Sequence, residues 1–144
     1  MLYDTKRGST ETIVEWMKNS IKERVTIDAI RIPDVKTLEK YDLIVIGSPI
    51  YYERPLRTVL SFLEEQKEEL RNKKLAVFVV CMAQSFGFLG KKYAQKRYIK
   101  SLTKKVSGKI IKKGVIKGWL KTQDSSQERR AQEWIKDTVR KAQR

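Results

Sequence analysis

The sequence predicts one α/β domain over residues 1–144, doubly wound, with helices on both faces of a parallel sheet. Two observations point there. Leu43-Ile44-Val45-Ile46 and Leu75-Ala76-Val77-Phe78-Val79-Val80 are short, unbroken apolar runs, as expected of strands covered on both faces. Between them Leu56, Val59, Leu60, Leu63 and Leu70 recur at helical spacing, so strand, helix and strand form one right-handed crossover. The alternation extends in both directions and reads as five strands and five helices.

Met1-Leu2-Tyr3-Asp4 alone precede the first loop, so the first strand is expected to be short or truncated. Ser9 or Thr10 is placed to cap a helix whose inner face is Ile13, Val14, Met17 and Ile21, with Trp16 beside it. Residues 25–30 alternate like a second strand, closed by Pro33, and a short helix is expected around residues 35–39. The Leu43 strand follows and stops at Gly47-Ser48-Pro49. Pro55 then suits the first position of the crossover helix. Beyond the Leu75 strand, Tyr98, Ile99, Leu102 and Val106 mark a helix, and residues 110–120 a glycine-interrupted strand. Ala131, Trp134, Ile135 and Val139 mark the last helix.

Composition removes whole classes of chemistry. With no His, a Ser-His-Asp triad, a Cys-His pair and a His-ligated zinc are impossible. One Cys forbids an internal disulfide and a four-cysteine cage, no metal site is expected, and the count suits a reducing cytoplasm. No apolar run approaches the ~20 residues of a membrane helix, and the N-terminus carries no leader pattern. The net charge of +15 is local: residues 70–123 hold 15 basic and no acidic side chains. Such a field either attracts anions or forms a solvated lysine face.

In an open α/β sheet, ligands gather beyond the carboxyl ends of the strands, which singles out three loops. The first is Thr5-Lys6-Arg7-Gly8-Ser9-Thr10, with three hydroxyls, two cations and a glycine just before a helix. It suits an anion held by backbone amides, or simply a helix cap, and it matches neither the G-x-x-x-x-G-K-[ST] nor the G-x-G-x-x-G phosphate motif. The second, Ser48-Pro49-Ile50-Tyr51-Tyr52-Glu53-Arg54, offers adjacent tyrosines: one can stack on a planar ring, or one can fold into the core. The third starts at Cys81, Met82 and Ala83. Cys81 reads as a small buried hydrophobe, since Gly87 stands where a Cys-x₅-Arg phosphatase needs arginine. No side chain is identified as a catalytic acid or base.

The residues Tyr3-Asp4-Thr5-Lys6-Arg7-Gly8-Ser9-Thr10-Glu11 and Tyr41-Asp42-Leu43-Ile44-Val45-Ile46-Gly47-Ser48-Pro49-Ile50-Tyr51 resemble the flavodoxin-like proteins. They resemble in particular the flavodoxin-domain group that contains the flavodoxin-type protoporphyrinogen oxidases. The resemblance implies a five-stranded sheet in the order 2-1-3-4-5 and the cofactor FMN. It implies that Thr5, Lys6, Arg7, Gly8, Ser9 and Thr10 wrap the phosphate, that Ser48, Pro49, Ile50 and Tyr51 flank the isoalloxazine ring, and that Cys81, Met82 and Ala83 pass its other side. Lys6 and Arg7 stand where many flavodoxins carry hydroxyls, so charge should share in holding the phosphate. Small carrier flavodoxins are typically acidic; a basic surround should instead favour the anionic reduced ring.

The resemblance therefore implies an FMN-dependent oxidoreductase, and as its sharper form a protoporphyrinogen- or quinone-linked dehydrogenase of heme biosynthesis. An electron-transfer module without its own substrate is the alternative. Phe86 and Phe88 beside Lys91, Lys92, Lys96 and Arg97 suit a carboxylated apolar ring system, or contact with an acidic protein or an anionic membrane surface, or are core residues beside solvated lysines. Peripheral membrane attachment of a cytoplasmic protein, and a homodimer, both fit this reading. A nucleic-acid-binding or scaffold role for the basic segment is the rival class, although no recognised nucleic-acid motif supports it.

Overall fold

The computed structural model describes residues 1–82, 87–119 and 121–144, excluding the side chains of Phe88 and Lys91. Its sheet has five parallel strands in the spatial order β2 (Ile30–Arg31), β1 (Leu2–Tyr3), β3 (Leu43–Tyr51), β5 (Lys74–Cys81), β6 (Lys109–Lys117). A short β4 (Arg54–Pro55) pairs antiparallel with the end of β3. Counting only the parallel strands, this is the expected order 2-1-3-4-5.

The unbroken apolar runs bury alternate residues on opposite faces. On β5, Leu75, Val77, Val79 and Cys81 join one core, beneath α2 (Arg57–Glu65), α3 (Lys67–Leu70) and the helical segment from residue 87 to 103. Ala76, Phe78 and Val80 join the other, beneath α1 (Ser9–Ile21) and α6 (Gln127–Ala142). The 87–103 segment runs as α4 (Gly87–Tyr93), a π-helical stretch (Ala94–Ile99) and α5 (Lys100–Thr103), and Val106 falls beyond its end. Among the described residues, no helix is long and apolar enough to cross a membrane.

The strands flanking the centre are shorter than the alternation suggests. Only Ile30 and Arg31 of residues 25–30 and their neighbour reach a ladder, because β1 offers just Leu2 and Tyr3 as partners. Val25, Ile27 and Ala29 still turn toward the core, so the alternation reports burial and not strand pairing. The helix expected around 35–39 is absent. A 3-10 turn at Ile32–Asp34 carries Pro33 in its first turn, and the Thr37 hydroxyl accepts the Glu39 N–H that a helix would need.

Three boundaries shift for local reasons. Gly8, not Ser9 or Thr10, stands at the N-cap of α1, with φ +94° and no side-chain cap. Strand β3 continues through Gly47-Ser48-Pro49 to Tyr51. Proline is tolerated there because β1 ends opposite Gly47 and makes no further ladder with β3. Pro55 lies in β4, not at the start of α2, because the Ser48 hydroxyl takes the Leu56 N–H at 3.0 Å and draws the chain into a hairpin. The crossover helix also breaks at Gln66, and β6 ends at Lys117. Leu120 lies outside the described residues.

Gly47 sits against the ring of Phe78, where a Cβ would come within 2.2 Å of a ring carbon. Phe78 is itself fixed edge-on to Trp134 at 5.5 Å. Gly47→Ala should therefore lower the unfolding free energy by about 2 kcal/mol, measured as a fall in the urea midpoint at unchanged slope.

Candidate functional site

Strands β1, β3 and β5 lie in register, with Tyr3 opposite Gly47 and Gly47 opposite Phe78, so their following loops emerge side by side. The first loop is aimed by Asp4. Its buried carboxylate accepts the Thr5 N–H at 2.8 Å, the Arg31 Nε–H at 2.8 Å and the Thr58 hydroxyl. Arg31 also donates to the Thr5 carbonyl at 3.1 Å. One side chain thus ties the end of β1 to β2, to α2 and to the loop it launches. Burial works against its charge, but hydrogen bonds from Thr58, Arg31 and Thr5 outweigh it and hold the carboxyl below its usual range.

Past Asp4 the Thr5 hydroxyl accepts the Gly8 N–H at 3.0 Å, folding the loop into a tight turn. Gly8 takes a left-handed conformation with open space where a Cβ would stand, so its requirement is conformational and not steric. Ser9 and Thr10 are buried at the start of α1. The Thr10 Oγ1 is buried with no hydrogen-bond partner among the described residues, a costly state for a hydroxyl unless something binds there. With no side-chain cap, the first amides of α1 also stay available, and the helix dipole adds its positive end. The turn thus brings a buried hydroxyl, uncapped helix amides and a positive dipole end together next to Lys6 and Arg7.

The second loop shrinks to a hairpin tip. Tyr52 and Glu53 both have positive φ, 49° and 66°, in the pattern of a primed turn but without the glycine such turns prefer. Contacts across the site hold that strained tip: Tyr93 donates to the Glu53 carboxylate at 2.7 Å and Arg97 pairs with it at 3.5 Å. Tyr93, then Tyr98 and Arg97, hold the Glu53 carboxyl below its usual range. Burial, then Glu53, pushes the Tyr98 phenol well above its ordinary value. Tyr93 and Tyr98 meet edge to face at 5.4 Å.

The first and second loops touch. Lys6 Nζ lies 5.1 Å from the Tyr51 ring centre, with the Arg7 guanidinium at 5.7 Å, so Tyr51 is engaged by cations. Tyr52 is 91% exposed, with the same Lys6 Nζ 5.9 Å from its ring centre. Together with Ile50, Cys81, Met82 and Tyr93 it borders a cleft of about 620 Å³ between the hairpin and the end of β5.

The expected site residues therefore separate into groups. Thr5, Lys6, Arg7, Gly8, Ser9 and Thr10 form the tight turn that leads into α1, with Tyr51 against Lys6 and Arg7. Ile50, Cys81 and Met82 meet at the cleft, Cys81 buried. Ser48 does not face it: its hydroxyl bonds the Pro49 carbonyl at 2.9 Å and the Leu56 amide, and Pro49 is buried in β3. Lys92, Lys96 and Arg97 are exposed on the helical segment. Ala83 and Phe86, and the side chains of Phe88 and Lys91, lie outside the description. Sequence reading puts Tyr52 and Glu53 in the second ligand loop but does not bring Tyr93 and Tyr98 to the cleft, and it does not show Asp4, Arg31 and Thr58 as support for the first loop. The paired tyrosines were the one available signal.

A family model for the flavodoxin domain matches residues 1–135. Comparison with curated protein sequences gives no match. Among solved structures, the chain is similar to flavodoxin 1 from Bacillus cereus (TM-score 0.70, 20% identity, 97% of this chain and 95% of that one). It is similar to a Fusobacterium nucleatum flavodoxin bound to flavin mononucleotide (0.64, 16%, 96% and 95%). It also resembles rubredoxin oxygen:oxidoreductase from Desulfovibrio gigas (0.73, 15%, 99% of this chain), of which it spans only 35%. At these identities the likeness is one of fold.

Asp4 supplies a test of the support. A depressed carboxyl contributes stability that is present above its ordinary value of 3.8 and lost as pH falls through the lower native value. Asp4→Asn should cost about 2 kcal/mol at neutral pH, and the difference from wild type should shrink below pH 3.8. Urea unfolding across that range measures both.

Proposed function

The chain belongs to the flavodoxin domain family, and from that premise we propose that it binds flavin mononucleotide and works as an electron-transfer module. The observation that carries this reading is the buried, unpartnered Thr10 hydroxyl at the open N-terminus of α1. A dianionic phosphate answers that hydroxyl, the uncapped amides and the two cations at once. Thr5, Lys6, Arg7, Gly8, Ser9 and Thr10 would hold the phosphate. Ile50, Tyr52, Cys81 and Met82, at the cleft, would flank the ring, with Tyr51 bridging ring site and phosphate site through Lys6 and Arg7. Ser48 is not among them, since its hydroxyl is committed to the hairpin.

The bound flavin supplies the redox chemistry, accepting and releasing electrons. The protein's part is to bind, place and bias it. Lys6 and Arg7 lower the cost of adding negative charge near the ring, which raises the potential relative to an acidic carrier. Tyr93 and Arg97 hold the Glu53 carboxylate, and with it the strained tip, at one wall of the cleft.

A narrower reading, an oxidoreductase acting on a porphyrinogen or a quinone, is favoured by the apolar lip of the cleft. Leu89 is 76% exposed there, beside the lysines of the helical segment. Protoporphyrinogen oxidation with a quinone acceptor by the FMN-loaded protein separates the two readings, because a carrier gives no turnover.

Thr10→Val tests the central claim at one atom. It removes the unpartnered hydroxyl at nearly constant volume, so the flavin-free protein should gain about 1 kcal/mol of stability. Affinity for FMN should fall about ten-fold or more, while the weak affinity for riboflavin, which lacks the phosphate, should not change. Fluorescence-quenching titrations of both ligands read this directly. Equal losses for the two ligands would remove the phosphate assignment.

A further inference from the structure

The helical segment carries Lys92, Lys96, Lys100 and Lys104 at a strict four-residue spacing, all exposed. Among the described residues, none of the four is ion-paired, and no acid interrupts the segment to relieve their mutual repulsion. At helical rise the stripe runs about 18 Å. Lys96 and Lys100, with Lys113 of β6 across from them, line a groove of about 560 Å³ along the outer edge of the sheet. A stretch of π-helix, which is uncommon, lies within the stripe.

The stripe begins at the cleft. Tyr93, adjacent to Lys92, bonds Glu53 on the hairpin tip, and Arg97, adjacent to Lys96, pairs with the same carboxylate. Around that mouth stand the exposed large hydrophobic side chains Tyr52, Met82, Leu89 and Tyr93. An apolar centre rich in tyrosine and methionine, flanked by unpaired cations, has the composition of a protein interface. A phosphate-tracking surface would instead be continuously basic, and here Glu53 places a carboxylate at its cleft end, beside the apolar lip.

We propose that the lysine stripe with Lys113 is the docking face for a small acidic electron-transfer protein, which seats against the Tyr52–Met82–Leu89–Tyr93 lip at the flavin cleft. This rests on the electron-transfer reading above. It reverses the usual polarity of small acidic carriers, with the cations on this chain and the carboxylates on the partner. The cations steer the encounter and the apolar lip fixes its end point, so the complex is short-lived and salt-sensitive.

The test uses the FMN-loaded full chain and a fluorescently labelled acidic rubredoxin as probe, read by anisotropy across a salt series. Lys96→Glu/Lys100→Glu on the stripe is compared with Lys36→Glu/Lys136→Glu, exposed positions elsewhere that change the net charge equally. The stripe variant should weaken probe binding about ten-fold or more, against about two-fold for the control, with the steeper salt dependence lost only in the stripe variant. Equal weakening by both variants, or no rubredoxin binding at low salt, would overturn the proposal. So would tighter binding of phosphatidylglycerol vesicles or of a DNA duplex that the stripe variant abolishes. FMN titration of each variant separates this outcome from a failed cofactor reading: flavin affinity should be unchanged in both.

Discussion

Everything at the ligand edge of this molecule hangs on a two-residue strand inside the sheet. Two residues, Leu2 and Tyr3, bridge β2 to the long β3–β5–β6 half, and they lie directly before the turn that leads into α1. So few ladder bonds cannot fix the direction of the loop that follows. Asp4 takes over that task. Its carboxylate gathers Arg31 from β2, Thr58 from α2 and the Thr5 amide, replacing strand length with a charged, hydrogen-bonded clasp. A buried carboxylate is costly to desolvate, and it persists here because each oxygen is satisfied and a guanidinium neutralises it. The same clasp keeps a negative charge behind the phosphate turn from opposing an anionic ligand.

The site itself combines one unmet demand and one strained feature. The unmet demand is the Thr10 hydroxyl, buried without a partner beside uncapped helix amides. The strained feature is the Tyr52–Glu53 tip, with two non-glycine residues at positive φ, held by Tyr93 and Arg97. Both are features that cost stability unless a ligand or a partner makes use of them. Lys6 of the turn before α1 links the two, lying over the rings of both Tyr51 and Tyr52. That arrangement suits a ligand with an anionic end and a planar end.

Much of this was legible in the sequence. The apolar runs at 43–46 and 75–80 read as strands covered on both faces, as they are, and the helical spacings between them set the crossover order. The position of the hydroxyl-and-glycine loop at 5–10, before a helix and after a strand, follows from that order. What could not be read was tertiary pairing. The alternation of residues 25–30 reports burial correctly, but hydrogen bonding depends on a neighbour that offers only two residues. Ser48 looks like a ligand-facing hydroxyl until the hairpin with Pro55 claims it. Glu53, Tyr93 and Tyr98 are far apart in the chain, and no local pattern tells that a hairpin tip and a helix will meet over the same cleft. The stripe from Lys92 to Lys104 was visible as charge, yet its position at the lip of the cleft emerges only from the fold.

The most direct measurement is the visible spectrum of the purified protein after incubation with FMN and desalting. Retained flavin absorbance, with the ring's fluorescence quenched, is the expected result and establishes that the chain holds the cofactor. A colourless protein that leaves FMN fluorescence unchanged would contradict it, and the Thr10 hydroxyl would then need another partner.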